Sequence, residues 1–543
     1  MVTKNRFRRF LTVNDRHSLK KELTEVSIYR PGKTMKNAIS KKVFGQCFQS
    51  LLPSSCHDSG CSSFFAACIH IGLAVLFFLG AMIAFFSIMT VKMLFIAAGI
   101  GIAIWFFRDR LLFFCKLTDI IRRNPIASVC LVVVIGLVLR ALFYYVHLGT
   151  MLLENQTNDC LIFLNEAKEM ASGSFPETKS WVTVGCYALL IRLFGESVLP
   201  LCLLNNLLQI LSLVLIYFLG RRMFNSLVAV FAVMAYYWSP MFIPFSFSLQ
   251  AEHFFYPLVL LQFLLLALWS EKNNLLYAAA MGLTILATLW TKTDAGVFIA
   301  VITLFVFLTD AILKRRIRAV LFSLSVLSVI VVAGLCWSSA INQKYHGTHT
   351  FLCSQDGYWP QYFGANAANK GRVKMKDKLA MYEAYEKDTG EKLVFRHNHC
   401  PSVLVPYIRA EIHRRWSSMT FKTKIELIYQ KEAFSWQTLC NPVYRTQLFA
   451  KAHTILKVLV WLTACLALLR LSCRALRFPN VTSVDILRVL PVLYLIGMFL
   501  CLILVEANFR YTMCANVFLP FYFGYFIYWL KCRYQSRREH RNN

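Results

Sequence analysis

Charge is scarce in this chain: 16% of its 543 residues are Asp, Glu, Lys or Arg, against 57% hydrophobic and 15% aromatic. An ordinary soluble enzyme is thereby excluded, because globular chains carry roughly 25% charged and about 45–50% apolar residues. Disorder is excluded by the same figures, since this much Phe, Leu, Ile and Val offsets chain entropy on burial. Acidic residues are scarcer still, 28 against 58 Lys plus Arg, for a formal net charge of +30. That excess is no nucleic-acid footprint. The basic residues fall in short clusters between apolar runs, as in the cytoplasmic loops of membrane proteins, and no basic face with interleaved aromatics occurs elsewhere. The 18 cysteines form no disulfide framework, since most, such as Cys68, Cys130, Cys202, Cys465 and Cys501, sit inside apolar runs as small core residues. Cys56, His57 and Cys61 are followed by no second ligand pair at zinc spacing. A cleavable signal peptide is not expected, because residues 1–62 are polar and basic ahead of any apolar stretch.

Long apolar runs are what the chain has in abundance. A hydrocarbon core about 30 Å thick takes about twenty helical residues. Runs of that order lie near 64–89, 91–107, 126–147, 198–219, 226–243, 254–270, 275–291, 295–313, 319–340, 453–470, 486–505 and 511–530, which predicts an all-α polytopic membrane protein with about twelve transmembrane helices. With the N-terminus inside, alternate threading puts the 1–62 tail, Arg108 to Arg123, Arg221-Arg222, Lys314 to Arg318, Arg470 to Arg477 and Lys531 to Arg541 on one face. One missed helix would scatter those clusters over both faces, so their agreement supports the count. Both termini are then cytoplasmic, and the expected location is the plasma (cytoplasmic) membrane.

The expected organisation is a basic cytoplasmic tail (1–62), two additional N-terminal helices with a basic loop (63–125), a transmembrane core (126–341), an extracytoplasmic loop domain (342–452), the last helices (453–530) and a second basic tail (531–543). Function is sought in the two outer polar segments, 148–200 and 342–452. The first holds Trp181 to Phe194, too interrupted to span and suited to lying in the interface. The second offers Trp359, Trp416 and Trp436 for a core or for docking on headgroups.

Asp159 begins an amphipathic helix just after a membrane exit, which sets a carboxylate where a lipid headgroup presents itself; a plain helix cap by Asn158 or Asp159 is the alternative. Glu166 is seven residues on, on the same face but about 10 Å along the axis, so the two cannot share a proton. Lys292 and Arg510 lie at predicted outer helix ends, where a cation is costly unless it binds something. Pairing with Asp294 or snorkelling would account for Lys292, and a salt bridge four residues back to Glu506 for Arg510. Glu252 and His253 can ligate a metal or orient Asp159, or Glu252 can simply meet a backbone amide. His346 and His349 read as solvated. The run from Asp356 to Arg372 mixes Gly, Asn and aromatics in a way that suits sugar stacking, or a tight turn, with Tyr358, Trp359 and Asn366 as its contact candidates.

Asp159, Ala171-Ser-Gly-Ser-Phe-Pro176, Tyr187 to Gly195, Asn205-Asn206-Leu207, Tyr217 to Phe224, Ser239-Pro240 and Gln250-Ala251-Glu252 follow one another in an order that resembles the N-terminal half of multi-pass GT-C glycosyltransferases. More narrowly, they are similar to bacterial relatives of protein O-mannosyltransferases (dolichyl-phosphate-mannose-protein mannosyltransferase-like, glycosyltransferase family 39) and of the lipid A aminoarabinose transferase. Further matches are Gly282 with Lys292, Gly357 to Asn366 with Gly371, and Glu506 to Tyr511, so the resemblance covers about 126–530. It implies a GT-C fold, a polyprenyl-phosphate sugar as donor, and inverting transfer on the outer face to an envelope glycan, lipid or protein. Membrane lipids surround the site, and no nucleic acid takes part. Asp159 matches the acidic residue of the family's first outer loop, where Glu usually follows; here Cys160 takes that place, leaving Glu166 or Glu252 to supply a second carboxylate. Arg510, Lys292 and Tyr511 would meet the donor phosphate. No cofactor is assigned with certainty, and a divalent metal is left open. The rival functions are a lipid-linked oligosaccharide flippase or other transporter, a lipid-carrier-dependent polymerase or ligase, and a noncatalytic scaffold. Span centres nearly free of charge, apart from Arg140, Lys457 and Arg488 near helix ends or shoulders, argue against transport.

Overall fold

A computed structural model describes residues 60–106, 112–146, 158–178, 180–314, 316–347, 349–352, 358–393, 402–437, 447–477, 482–507 and 512–542. Contacts divide the chain after Cys61, and the features below belong to the compact unit Ser62–Asn543. Nearly all of the 1–62 tail lies outside the described residues.

Among the described residues the protein is all helical. In chain order, α1 (Gly60–Phe86), α2 (Val91–Phe106), α3 (Leu112–Arg123) and α4 (Pro125–Val146) lead to α5 (Asn158–Ala171) and α6 (Trp181–Phe194). Then come α7 (Val198–Met223), α8 (Ser226–Tyr237), the single turn α9 (Phe242–Phe245), α10 (Glu252–Lys272), α11 (Leu275–Thr291), α12 (Thr293–Lys314) and α13 (Ile317–His346). The long loop contributes α14 (Tyr358–Gly364), α15 (Met375–Thr389), α16 (Val405–Ser418) and α17 (Phe421–Gln437); α18 (Gln447–Arg477), α19 (Ser483–Leu504) and α20 (Ala515–Asn542) close the chain. Each of the twelve predicted apolar segments contains helix, although the 226–243 segment breaks after Tyr237. Among the described residues eight helices, α1, α4, α7, α10, α12, α13, α18 and α19, are long and apolar enough to cross a membrane, so the segments near 91–107, 226–243, 275–291 and 511–530 fall short of the expected twelve by this measure. This is an all-α polytopic membrane protein.

The basic clusters converge on one end of the bundle through direct contacts. Lys531 of α20 pairs with Asp119 of α3 at 2.5 Å, and Arg222 of α7 pairs with Glu271 of α10 at 2.5 Å. Lys314 Nζ of α12 donates to the Ser270 carbonyl of α10 at 2.6 Å, and Arg488 Nε of α19 donates to the Met223 carbonyl at 2.8 Å. Arg470 and Arg533 both lie 4.9 Å from the Trp529 ring. Since these are the C-terminal ends of α7, α10, α12, α18 and the apolar part of α20, and the N-terminal end of α19, the opposite ends of those helices define the other pole. That pole carries α5, α6 and the start of α10.

The chain between α8 and α10 leaves helix geometry at residues 238–241 and again at 246–251 although it runs within the bundle. Backbone carbonyls at such depth require internal partners. They have them. Arg140 of α4 donates to the Tyr237 carbonyl (3.2 Å), Gln209 of α7 to Phe242 (3.3 Å), Cys202 to Phe247 (3.7 Å) and Asn205 to Ser248 (2.9 Å). His253 Nε2 lies 3.0 Å from the Phe245 oxygen and 3.1 Å from that of Ser248. Arg140 also donates to Gln209 Oε1 at 2.7 Å and sits 3.9 Å from the Tyr237 ring centre. Gly136 makes room: a Cβ there would stand 2.3 Å from the Tyr237 ring.

The N-terminal pair α1 and α2, outside the family resemblance, is built into the same core. Ser472 of α18 donates to the Ala74 carbonyl at 2.8 Å, a Cβ on Gly80 would come within 2.7 Å of Val492 of α19, and the Phe86 ring meets Tyr429 of α17 and Phe499 of α19 edge-on.

Candidate active site

Asp159 occupies the second position of α5. Its neighbour Cys160 is buried and accepts from Gln250 Nε2 at 3.1 Å, two residues ahead of Glu252, so the first turn of α5 is set against the start of α10. One apolar cluster joins them, with Phe163, Leu164 and Ala167 of α5, Val184, Tyr187 and Ala188 of α6, and Leu249, Ala251 and Phe254. Tyr187 donates to Asn205 Oδ1 at 2.8 Å, and the Asn205 amide in turn holds the Ser248 carbonyl. Glu166 is half-buried two turns along α5.

Glu252, only 4% exposed, stands in the first turn of α10, where exposed backbone N–H groups favour a carboxylate. Lys292, between α11 and α12, reaches it at 3.6 Å and lies 4.8 Å from the Phe255 ring centre. Sequence spacing offered snorkelling or pairing with Asp294 as the alternative to phosphate binding for Lys292; the Glu252 contact joins residues forty positions apart and was not legible locally. Asp294 stands two residues on, in the first turn of α12. His253, weighed as a metal ligand or as a guide for Asp159, is engaged with the carbonyls of the irregular segment. No three His, Cys, Asp or Glu side chains among the described residues converge as a metal site.

The long loop reaches this pole through α14 and α17. Trp359 is 4% exposed and packs with Phe363 and Tyr382 in the loop's own core, with Lys378 Nζ 4.7 Å from its ring. Tyr358 bonds through its hydroxyl to Arg409, whose guanidinium also stands 4.8 Å from its ring centre. Asn366 braces a turn: its amide donates to Asp377 at 3.0 Å and its carbonyl accepts from Gly371 N at 2.9 Å. Asn366 thus helps to shape this turn, and Trp359 lies in the loop's core.

Two motifs distant in sequence meet here. A Cβ on Gly364 would stand 2.5 Å from the Val505 carbonyl oxygen, and Ala507 N donates to the Gly371 carbonyl at 2.8 Å. The 363–371 run is therefore seated on the end of α19, which leads into Glu506. Arg510 and Tyr511 lie outside the described residues. At this junction Lys431 of α17 is fully buried, donating to the carbonyls of Ile503 (2.8 Å) and Gly364 (3.3 Å). Glu432 beside it accepts from Trp436 Nε1 at 2.8 Å. Burial pushes the Lys431 ammonium down to about 8, opposed by Glu432, and burial pushes the Glu432 carboxyl up to about 8, opposed by the Trp436 bond and Lys431. Neither residue stood out in the sequence, because Gln430-Lys431-Glu432 has the composition of a solvated helix face.

Residues 181–337, from the start of α6 into α13, match the family model described as dolichyl-phosphate-mannose-protein mannosyltransferase. Over that segment the chain is similar to membrane glycosyltransferases of the GT-C type. The matched segment holds the Glu252–Lys292 pair and the irregular segment with its partners Gln209, Cys202, Asn205 and His253. Asp159, the loop motif and the Glu506 region lie beyond it. No curated protein matches the chain in sequence.

Proposed function

We propose that the protein moves a sugar from a polyprenyl-phosphate donor to a cell-envelope glycan, lipid or protein, with inversion, at the pole opposite the basic clusters. The observation that carries the reading is the convergence at that pole of the first turn of α5, the Glu252–Lys292 pair and the loop motif seated on α19. The threading that makes the basic end cytoplasmic makes this pole the outer face of the plasma membrane.

In the reaction, the acceptor hydroxyl attacks the anomeric carbon and its proton passes to the Asp159 carboxylate. The carbon–oxygen bond to the lipid phosphate breaks, and its electron pair leaves on the phosphate oxygen. A carboxylate at a partly dry membrane edge suits the first task. Fixed cations suit the second, and Lys292, Arg510 and the Tyr511 hydroxyl are assigned to the departing phosphate. Glu252 holds Lys292 in place and supplies the second acidic group that Cys160 does not; Glu166 is the reserve for that role. Tyr358 and Asn366 bound the sugar side, and Trp359 supports them from the loop core.

Mass analysis of envelope glycans and polyprenyl-phosphate sugars in cells with and without the protein tests this. The expected result is loss of one glycan modification with accumulation of one lipid-phosphate sugar. Unchanged pools of both would overturn the reading, and accumulation of a diphosphate-linked glycan would turn it into the polymerase or ligase alternative.

A further inference from the structure

A lysine with no exposed surface, donating to backbone carbonyls of two different segments, does work that an apolar side chain cannot, and its desolvation must be offset by what it holds. Lys431 is such a residue. Its ammonium reaches the Ile503 carbonyl at the end of α19 and the Gly364 carbonyl at the end of α14. Its stem fills the space over Gly371, where an added Cβ would stand 2.6 Å from Lys431 Cγ and Cδ, and Gly371 adopts φ +68°, a region glycine occupies without penalty. The Gly371 carbonyl is in turn held by Ala507 N. One side chain therefore ties together three stretches: the α14 end, the Asn366–Gly371 turn and the α19 end. The end of α19 that it holds packs beside the start of α12, where a Cβ on Gly497 would stand 3.2 Å from the Phe298 ring, so this tie and Lys292, just ahead of α12, lie at the same end of the bundle.

We infer that Lys431 is a positioning residue for donor binding: it fixes the 363–371 motif on the end of α19, beside the charged groups that receive the lipid-phosphate sugar. The inference rests on the donor reading proposed above. The Lys431 ammonium donates to backbone carbonyls, so it acts through the segments it clamps, and its loss should loosen donor binding more than it slows the chemical step.

The test measures kcat and KM for the lipid-phosphate sugar donor and the unfolding temperature in detergent for Lys431→Met, Lys431→Gln and Gly364→Ala. Methionine keeps the stem and loses both hydrogen bonds, glutamine keeps an N–H donor, and the Gly364 variant presses on the Val505 carbonyl from the other side of the same junction. Donor KM is expected to rise about tenfold in Lys431→Met, the scale of one charge-assisted hydrogen bond, with kcat within about threefold. Lys431→Gln should fall between Met and wild type, and Gly364→Ala should raise KM as Met does. Should Lys431→Met fail to fold, the Gln and Gly364 variants carry the comparison. Folded Lys431 variants with unchanged donor KM, or with kcat alone reduced, would overturn the inference. Asp159→Asn, run alongside, separates the two claims: near-normal transfer in that variant counts against the catalytic reading and leaves the Lys431 comparison standing.

Discussion

Asp159→Asn discriminates between a base and a cap. Asparagine keeps the size and capping ability of aspartate while removing its basicity, so a helix cap would survive nearly unchanged. The expected outcome is a folded, donor-binding protein whose transfer rate falls about a hundredfold or more, the usual contribution of general-base assistance. Lys431 and Glu432 offer a second residue-level expectation, read as unfolding temperature against pH. Between about pH 4.5 and 8 the folded protein keeps a Glu432 proton that the unfolded chain has lost, so this contribution to stability falls as pH rises. Between about pH 8 and 10.5 the folded protein has lost a Lys431 proton that the unfolded chain keeps, so this contribution rises. The groups facing Lys431 are Glu432, Cys501 and Glu506. Glu432→Gln should abolish the fall and Lys431→Met the rise; a profile unchanged in both variants would show that the pair does not titrate in these windows.

Helices here are set by composition, while the break between α8 and α10 is set by what its carbonyls find. Arg140, noted in the sequence only as a charge near a helix end or shoulder, accounts for itself in these terms: its guanidinium closes the C-terminal end of α8 and grips Gln209. Arg140→Leu should lower stability by about 2 kcal/mol or more, because it leaves the Tyr237 carbonyl and Gln209 without their donor. Gly136→Ala should act in the same direction by forcing Tyr237 away. Thermal unfolding in detergent checks both. Equal stability of Arg140→Leu and wild type would mean that the segment finds other donors. Because Glu252 begins the helix that follows, both variants should also reduce transfer, with Arg140 itself touching no substrate.

For the whole molecule, the convergence of Asp119–Lys531, Arg222–Glu271 and Lys314 with Ser270 on one pole is what alternate threading requires. The expectation that this pole faces the cytoplasm is tested by labelling single cysteines introduced in the 358–437 region and in the C-terminal tail with a membrane-impermeant reagent. Loop positions should react in intact cells and tail positions only after lysis. The reverse pattern would overturn the orientation and the outer-face reaction with it. The core contacts of α1 with α17, α18 and α19 further predict that deleting residues 63–107 destabilises the bundle rather than merely freeing an anchor.

Hydropathy and length are local properties, so the sequence by itself determined the all-α membrane class, the positions of the twelve helical segments and the sorting of basic clusters to one end. It also singled out α6, whose Trp181–Phe194 limits coincide with the interrupted apolar stretch, and the order of motifs whose central part the family match covers. Pairing and burial are not local. Only the tertiary structure decided that Lys292 meets Glu252 across forty residues, that His253, Asn205 and Arg140 hold backbone carbonyls, and that Trp359 belongs to a core. It alone seated Gly364 and Gly371 on the end of α19 and buried Lys431 between them. The physical reason is the same in each case: a polar side chain's role depends on which partner desolvates it and satisfies its hydrogen bonds, and that partner is supplied by another helix.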